Sequence, residues 1–256
     1  MNWLFFSYIM TDMEKLTKGK TREGYVREMF GRIAKRYDLM NRLMTAGFDT
    51  RWRREVLRLA DLQPGIRVLD MGTGTGDLTR MAIGTVPGMH VTAADFSLAM
   101  MLAGRARGEL PLVAADALAA PFTDSVFDAA VSGFLMRNTA DLKLALKEQI
   151  RLLKPGGRFV ILDTTRPKTN LFTPFIWLHM HLVIPALGRL VTGDRQAYEY
   201  LSNSSERFLF AEDLSAAMEE AGFTNIGFKR YMFGTIAIHW GTKPRTSRKM
   251  IKSKHD

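Results

Sequence analysis

Short apolar runs alternate with longer amphipathic stretches along most of the chain. The runs at 66–71, 90–95, 111–116 and 127–133 are rich in Val, Ile, Leu and Ala, and Gly, Pro or polar residues bound them. Runs of this length and composition are typical of strands that are buried on both faces of a parallel sheet. The pattern therefore predicts alternating strands and helices, and with them an α/β fold.

Two of the intervening stretches have helical periodicity. Residues 98–107 form one of them, and residues 141–154 form another, which begins at Asp141, a residue suited to the N-cap of a helix. The second stretch ends at the Pro-Gly-Gly sequence 155–157, directly before a fifth apolar run at 158–163. A fifth strand is therefore expected to follow this helix.

The last elements predict how the sheet ends. A helix over 209–222 ends at a glycine, and strands at 225–233 and 235–241 follow it. Because these two strands are too close for a crossover helix, they are expected to pair antiparallel. Right-handed crossovers then give a doubly wound, mostly parallel, seven-stranded sheet with an antiparallel edge hairpin.

The same patterns divide the chain into parts. Residues 1–60 are expected to form a basic, helical N-terminal arm, and residues 61–242 a single Rossmann-like domain. Residues 164–208 interrupt this domain between the fifth strand and the last helix. The basic tail at 243–256 has no strand or helix pattern and is expected to be disordered.

The insertion contains the most apolar stretch of the chain, at 171–191. Two prolines, two histidines and Arg189 argue against a membrane span, because a charged group at the centre of a bilayer costs about 2.5 kcal/mol or more. We expect this stretch to be a lid over an apolar substrate. The alternative is ordinary core packing by an inserted helix pair.

The charge of the chain is concentrated near its ends. The formal net charge is +10, yet residues 59–242 hold 17 Lys and Arg against 18 Asp and Glu. Residues 14–58 hold 13 basic against 6 acidic side chains, and residues 243–256 hold 6 against 1. Such ends suit phosphates or peripheral contact with an anionic membrane surface, and the alternative is that they are simply solvated.

Cysteine is absent from the sequence. This excludes disulfides, thiolate metal sites and a cysteine nucleophile, and it fits a reducing cytoplasm. The first ten residues are apolar but too short to span a bilayer, which needs about 20 residues. Met10 or Met13 is an alternative start of translation.

The most informative motif is the glycine-rich stretch at 69–78, where the first strand is expected to turn into a helix. Its pattern is GxGxG, with Gly72 and Gly74 flanked by Asp70 and Asp77. Those carboxylates would repel the pyrophosphate of a dinucleotide. S-adenosylmethionine carries a sulfonium and an ammonium group instead, so the acids favour it as the ligand.

Two further acids stand at strand ends. Asp95 lies 19 residues after Gly76, the spacing at which an acidic side chain accepts hydrogen bonds from ribose hydroxyls. Asp116 ends the third strand, where it can accept from the adenine amino group. Each acid alone is also a plausible helix N-cap, but the set favours a cofactor site.

Eight segments of this chain are similar to the ubiquinone/menaquinone biosynthesis C-methyltransferase family. The glycine stretch and LKPGG at 153–157 are shared by many methyltransferases, whereas the arm and the lid segments are specific to this family. The similar segments are 29–54, 68–79, 93–105, 116–128, 136–146, 153–163, 184–201 and 221–228.

This resemblance implies positions in the cofactor site, and the chain departs from the family at three places. Thr75, Asp95 and the pair Asp116-Ala117 would line the site. Gly133 stands where the family has a serine, which puts one cofactor contact in doubt, and Leu135 after it is expected to narrow the neighbouring pocket. A third departure lies at 204–208, where Ser-Ser-Glu-Arg-Phe replaces a family motif, so substrate fit is expected to differ.

The implied reaction is methylation of a ring carbon of a reduced, prenylated quinone precursor, a demethylmenaquinol or its ubiquinol equivalent. The implied reaction needs no metal. Arg137 would steady the phenolate or orient a water, since a guanidinium keeps its proton and cannot act as a base. Tyr37 in the arm would take or relay the phenolic proton. The alternatives are a loop salt bridge for Arg137 and core packing for Tyr37, and His179 and His181 are expected to be structural.

Other functions stay open on the sequence alone. The acceptor could be another small aromatic or lipid molecule, or the protein could be a noncatalytic cofactor-binding component of a quinone-synthesis complex. Nucleic acid is not expected as a partner, because no Pro-Pro-Tyr/Phe motif follows the fourth strand and the cysteine of pyrimidine C5 chemistry is absent. The sequence leaves homo-oligomer formation and the choice between naphthoquinone and benzoquinone open.

Overall fold

The computed structural model describes residues 21–169 and 171–245. Both alternative starts, Met10 and Met13, and the basic tail from residue 246 onward lie outside the described residues. The predictions made for those parts therefore stay predictions.

Within the described ranges, seven strands form one sheet in the order β3-β2-β1-β4-β5-β7-β6. Strands β1 to β5 pair parallel, and β7 pairs antiparallel with both of its neighbours, β5 and β6. The doubly wound sheet with an antiparallel pair at one edge is therefore confirmed. The strands are β1 (Arg67–Met71), β2 (His90–Asp95), β3 (Leu112–Ala114), β4 (Phe127–Gly133), β5 (Leu153–Thr164), β6 (Thr224–Tyr231) and β7 (Ile236–Thr242).

Helices cover both faces of the sheet and its carboxyl edge. The helix predicted after the fourth strand begins where expected, because the side chain of Asp141 accepts a hydrogen bond from the amide of Leu144. The helices are α1 (Arg22–Ile33), α2 (Tyr37–Met44), α3 (Asp49–Leu59), α4 (Asp77–Thr85), α5 (Leu98–Arg105), α6 (Leu142–Leu152), α7 (Thr173–Leu178), α8 (Ile184–Thr192), α9 (Arg195–Arg207) and α10 (Ala211–Glu220).

The apolar runs form strands because both of their faces are covered. In β1, Val68 packs into the cluster beneath α3 and α4, whereas Leu69 packs into the opposite cluster beneath α6 and α10. Ala129 and Ala130 of β4 divide in the same way. All four side chains are buried, which explains why the runs are continuously apolar rather than alternating.

A third apolar cluster joins the arm to the insertion. Met29 and Ile33 of α1 and Met40 of α2 pack with Tyr198 and Leu201 of α9. The arm and the insertion therefore form a cap together. This cap lies over the carboxyl ends of the parallel strands, which is where open α/β sheets bind their ligands.

The insertion is helical along most of its length. Helices α7 and α8 are joined without a break by a π-helical turn, His179–Val183. Among the described residues, the run Thr173–Thr192 is long and apolar enough to cross a membrane by length and composition, and 22% of its most apolar window is buried in the protein. Packing of α8 against α2 and α9 holds the run on the cap.

Two helical glycines test how closely the helices pack beside the glycine-rich stretch at 69–78. A Cβ at Gly104 of α5 would lie 2.3 Å from the carbonyl oxygen of Thr75, whereas a Cβ at Gly84 of α4 meets nothing within 4 Å. We expect Gly104→Ala to lower the melting temperature and Gly84→Ala to raise it, since alanine is favoured over glycine in a helix by about 1 kcal/mol. Calorimetry on both variants checks this. Equal shifts would contradict the tight contact.

Candidate active site

The loop between β1 and α4 can be formed only with glycines at fixed positions. Gly72, Gly74 and Gly76 have φ of 75°, 58° and 85°, a region that side-chain-bearing residues rarely adopt. A Cβ at Gly72 would lie 2.9 Å from Leu135, and one at Gly76 would lie 2.2 Å from Leu110. The loop therefore needs glycines both for its backbone conformation and for lack of space, and its backbone lies at the wall of a cavity.

Asp70, at the end of β1, braces this loop from below. Its Oδ2 accepts hydrogen bonds from the hydroxyls of Thr73 (2.7 Å) and Thr79 (2.6 Å). Its other oxygen, Oδ1, is buried and accepts no hydrogen bond from the described residues. Burial raises the pKa of Asp70, although the two hydroxyls oppose this. Asp70 lines the cavity, so a donor group of a ligand would satisfy the buried oxygen.

Asp95, at the end of β2, ties two turns together. Its Oδ2 accepts from the amide of Gly74 (2.8 Å) and its Oδ1 from the amide of Ser97 (2.7 Å), at the start of α5. Burial raises its pKa to about 6 against these hydrogen bonds. The N-cap of α5 is Ser97 rather than Asp95, so the alternative of a helix N-cap is wrong for Asp95. Asp95 fixes the turn before the helix, and it also lines the cavity.

Asp116 follows β3 and is exposed. Its Oδ1 accepts from the amide of Leu118 at 2.9 Å, which fixes the turn after the strand. Asp116 and Ala117 both line the cavity. The three strand-end acids thus meet at one cavity, as their spacing predicts.

The arm closes this cavity from above. Asp38 of α2 accepts a hydrogen bond from the Thr75 hydroxyl at 2.6 Å and pairs with Arg107 at 2.9 Å. Arg107 also pairs with Asp77 at 2.5 Å and donates to the carbonyl of Thr75 at 2.9 Å. Burial raises the pKa of Asp38, and the Thr75 hydroxyl opposes this. The charge of Asp77 is therefore offset by Arg107, which the sequence did not reveal.

The acids and the glycine loop line what we call the donor cavity. Gly133 and Asn138 contribute from the end of β4, and Oδ1 of Asn138 is a second buried acceptor that receives no hydrogen bond from the described residues. The residues that line the donor cavity include Tyr37, Asp70, Gly72, Thr73, Gly74, Thr75, Asp77, Asp95, Ser97, Asp116, Ala117, Leu118, Gly133, Phe134, Leu135 and Asn138.

A second cavity, which we call the acceptor cavity, shares Tyr37 and Phe134 with the first. Most of the surface that its wall exposes is apolar, and the lid supplies Ile176, Met180 and Ile184 to it. The lid segment therefore covers a cavity, as expected of a lid over an apolar substrate. The polar and ionisable residues of the wall are Tyr37, Asn41, Thr45, Arg137, Thr164, Thr165, His179, Ser202, Ser205, Glu206 and Thr235.

Arg137 is held in place at the acceptor cavity. Its Nη1 lies 2.5 Å from Oδ1 of Asp163, a fully buried carboxylate at the end of β5, and its backbone amide donates to the other oxygen at 3.2 Å. Its guanidinium lies 5.3 Å from the centre of the Phe134 ring. The expected alternative, a salt bridge, is present, and it aligns a cation at the wall of the cavity.

Tyr37 stands between the two cavities. Burial raises its pKa, against the opposing effects of Arg137 and of the Asn41 side chain. At neutral pH its hydroxyl therefore stays protonated. Tyr37 can donate a hydrogen bond to a ligand in either cavity, but it is poorly suited to accept a proton.

His179 is a site residue that sequence reasoning missed. It lines the acceptor cavity, and its Nε2 lies 3.1 Å from the carbonyl oxygen of Met44. If Nε2 donates to that carbonyl, the neutral ring keeps Nδ1 as an acceptor. The signal was its position one helical turn from Ile176 and next to Met180. His181, in contrast, stacks on Trp177 with ring centres 4.8 Å apart.

The departures from the family lie at these walls. A Cβ at Gly133 would lie 3.7 Å from Arg53, an ordinary contact, so a serine would fit there and its absence leaves space. Leu135 occupies the donor cavity wall against Gly72, in line with the narrowing expected from the sequence. Ser205 and Glu206 of the altered motif line the acceptor cavity.

An open parallel sheet with a GxGxG loop and acids at three strand ends defines a Rossmann-like methyltransferase. The fold is similar to that of a solved Thermotoga maritima methyltransferase described as a possible histamine N-methyltransferase. The TM-score is 0.60 at 22% sequence identity, and the match covers 84% of this chain and 98% of that one.

The chain belongs to the ubiE/COQ5 methyltransferase family, whose profile matches residues 17–243. It is 44% identical to the ubiquinone/menaquinone biosynthesis C-methyltransferase UbiE of Desulfotalea psychrophila, over 85% of this chain and 90% of that protein. It is also 44% identical to the demethylmenaquinone methyltransferase of Thermus thermophilus, over 84% of this chain and 100% of that protein. The resemblance given above is confirmed.

The raised pKa of Asp95 predicts opposite pH dependences for stability and for cofactor binding. Because its folded-state pKa of about 6 lies above the usual value of 3.8, the unliganded protein loses stability as the pH rises through 6. If Asp95 accepts hydrogen bonds from the ribose hydroxyls as expected from the sequence, its ionised form binds them best. We therefore expect S-adenosylmethionine affinity to be constant above about pH 7 and to fall up to tenfold per pH unit below 6.

Calorimetric titration between pH 5 and 8 measures this. Asp95→Ala should lower the affinity at least tenfold at pH 7.5. Asp213→Ala, a substitution at an exposed acid of α10 outside both cavities, is the control and should leave the affinity unchanged. Unchanged affinity in Asp95→Ala would refute the assignment.

Proposed function

We propose that this methyltransferase transfers a methyl group from S-adenosylmethionine to a ring carbon of a reduced, prenylated quinone precursor, a demethylmenaquinol or the ubiquinol equivalent. Membership of the family supports the enzyme class, and the names of the relatives support the acceptor class. The observation that carries the proposal is the pair of cavities, one acidic and one apolar, that meet at Tyr37 and Phe134.

The donor cavity fits the cofactor. When bound, S-adenosylmethionine supplies a methyl group on a positively charged sulfur. We assign Asp95 to the ribose hydroxyls, and Asp116 and Ala117 to the adenine. The buried oxygens of Asp70 and Asn138 are acceptors for the ammonium or other donors of the cofactor.

The remaining cofactor residues act through their backbone or shape. Gly72 and Gly74 let the loop approach the ligand closely, and Gly133 leaves space at the end of β4. Thr75 is assigned to the site through its backbone, because its hydroxyl is already donated to Asp38. Its role is therefore to fix the arm over the bound cofactor.

In the acceptor cavity we assign Arg137 and Tyr37 to the oxygen of the acceptor ring. A phenolate is a far better carbon nucleophile than a phenol, and the permanent cation of Arg137 favours it. The Asp163 carboxylate keeps the guanidinium oriented. The Tyr37 hydroxyl donates to the same oxygen. These two are the catalytic residues of the proposal, with Arg137 acting directly or through a water.

Each turnover replaces one ring hydrogen by methyl and releases one proton, so the site needs a proton acceptor. Of the residues that line the acceptor cavity, Arg137 and Tyr37 are unsuited to this role for the reasons given. His179 carries an imidazole ring, which has one acceptor nitrogen when it is neutral, and the carbonyl of Met44 orients the ring. We assign it as the proton acceptor.

Replacement of His179 tests this role. His179→Gln should lower kcat about 100-fold, with partial recovery as the pH is raised, and leave S-adenosylmethionine affinity unchanged. His181→Gln, two residues away, is the matched control and should keep most activity. Loss of activity in Glu206→Gln together with a normal His179→Gln enzyme would move the role to Glu206, the other carboxylate or imidazole at this cavity wall.

The acceptor class is tested in the source organism. Deletion of the gene should lead to a quinone that lacks one methyl group. Its mass is lower than that of the normal quinone by one CH2 group, about 14 mass units. Mass spectrometry of lipid extracts detects it, and the gene carrying Arg137→Ala should fail to restore the normal quinone. An unchanged quinone profile after deletion would contradict the proposed acceptor.

The partners stay proposals as well. An isoprenoid tail keeps such an acceptor in the bilayer, which supports a protein that acts on the cytoplasmic side in peripheral contact with an anionic membrane surface. Self-association is open to measurement by light scattering.

A further inference from the structure

The lid has two apolar faces rather than one. Ile176, Met180 and Ile184 point to the acceptor cavity, as described. On the other side, large apolar side chains are exposed to solvent along the whole run. We call these the outer lid face: Leu171, Phe175, Leu178, Leu182 and Leu190.

This arrangement is the reverse of an ordinary surface helix. Such a helix places polar and charged residues on its solvent face. Here Phe175 is 70% exposed and Leu182 is 54% exposed, and Arg189 is the sole Lys, Arg, Asp or Glu between 171 and 192. Contiguous apolar surface of this kind marks a binding surface for a protein or a membrane.

The apolar surface continues onto the arm. Helix α2 packs against α8, and Leu39 and Leu43 of α2, which are one turn apart, are exposed. At the other end of the lid, Phe172 stacks on the exposed Phe233 with ring centres 4.4 Å apart. The surface therefore spans three separate segments that the fold brings together.

We infer that the outer lid face docks on the surface of an anionic lipid bilayer, with the helical run Thr173–Thr192 lying in the plane of the interface. The inference rests on the proposed function in one respect, which is that the acceptor carries an isoprenoid tail. A lid whose inner face covers the acceptor cavity and whose outer face lies in lipid would let that tail stay in the bilayer while the ring enters the site.

Charge favours a bilayer over a second copy of this chain. Lys35, Arg42 and Arg189 are exposed at the border of the apolar surface, and none of them forms an ion pair within the part of the chain that the structure describes. In a symmetric dimer through this face, both copies would bring the same cations to one interface. Anionic headgroups instead complement them.

Contacts of the inner face argue for docking rather than spanning. The carbonyl of Met180 accepts a hydrogen bond from Ser202 of α9 at 2.8 Å, and His179 contacts the carbonyl of Met44 at 3.1 Å. Gly188 of α8 packs on the Tyr198 ring so closely that a Cβ there would lie 2.4 Å from it. A helix that left the cap to cross the membrane would lose all three contacts and open the acceptor cavity.

Vesicle flotation tests the docking surface. The full chain is mixed with phosphatidylcholine vesicles containing about one third phosphatidylglycerol, and with vesicles of phosphatidylcholine alone. The wild type should float with the anionic vesicles and much less with the neutral ones. The double variant Phe175→Glu, Leu182→Glu should lose at least tenfold of the bound fraction.

The chain offers a matched control in helix α5. Leu98 and Leu102 are 61% and 52% exposed and one helical turn apart, but α5 lies beside the glycine loop rather than in the lid. Leu98→Glu, Leu102→Glu should float like the wild type. A milder pair, Phe175→Ser with Leu182→Ser, gives the same test if the glutamates lower the melting temperature.

Two activity assays separate this inference from the proposed function. On a short-chain, water-soluble quinol the lid variant should keep the wild-type rate, whereas on a long-chain quinol in vesicles it should lose at least tenfold. If the wild type methylates neither quinol yet floats, the proposed acceptor is wrong and the docking surface stands. If the lid variant floats like the wild type, the docking surface is wrong whatever the activity.

Fluorescence of Trp177 gives an independent signal. This side chain is half exposed on the lid, so its emission should shift to the blue when anionic vesicles are added, and Trp177→Phe should abolish the shift. A dimer that depends on Phe175 and Leu182, with no vesicle binding, would overturn the inference in favour of self-association.

Discussion

The crowding around the glycine loop is the constraint on which the rest of the site depends. Side chains press on it at Gly72 and Gly76, and helix α5 approaches so closely that Gly104 touches the backbone of Thr75. A loop fixed in this way presents the amide of Gly74 to Asp95 and the hydroxyl of Thr75 to Asp38. The strand-end acids and the arm are therefore positioned by one turn, and a displaced loop would misplace both.

The two cavities differ in their electrostatics in a way that suits methyl transfer. The donor cavity concentrates carboxylates, which favour a cationic ligand, and the acceptor cavity is mostly apolar with a single aligned guanidinium. A reaction in which an anionic ring meets a cationic methyl donor destroys charge. Low-dielectric surroundings strengthen the attraction between such charges, provided that nearby groups of opposite charge offset the cost of removing each charge from water. The cap supplies these surroundings by covering both cavities.

The sheet and the donor cavity could be predicted from the sequence because their signals are local. Continuous apolar runs indicate strands, and an acid directly after a strand lies at the carboxyl edge whatever the rest of the fold does. The strand over 127–133 and the strand over 90–95 agree with the structure to the residue. The departures at Gly133 and Leu135 were also visible as substitutions in a recognisable motif.

The parts that sequence reasoning missed depend on contacts between distant segments. Arg107 neutralises Asp77 and Asp38 from the turn after α5, and no spacing rule links these residues. In the sequence His179 is one histidine in an apolar run, and only the fold shows that it lines a cavity. The same run is equally apolar whether it is buried, covers a substrate or faces lipid, because composition carries no information about which side of a helix is covered.

The π-helical turn at His179–Val183 sets the phase of the lid. A π-turn holds one more residue than an α-turn, so the chain gains a residue there without the rotation of about 100° that this residue would add in a regular helix. Ile184, Pro185 and Gly188 are buried against the cap in this phase, whereas Ala186 and Leu190 are exposed. If the same residues continued as a regular α-helix, everything after the turn would be rotated by about 100°, and the buried side of α8 would turn away from the cap. The π-turn therefore decides which side of α8 meets the cap, and a regular helix could keep the same faces only if one residue were deleted there.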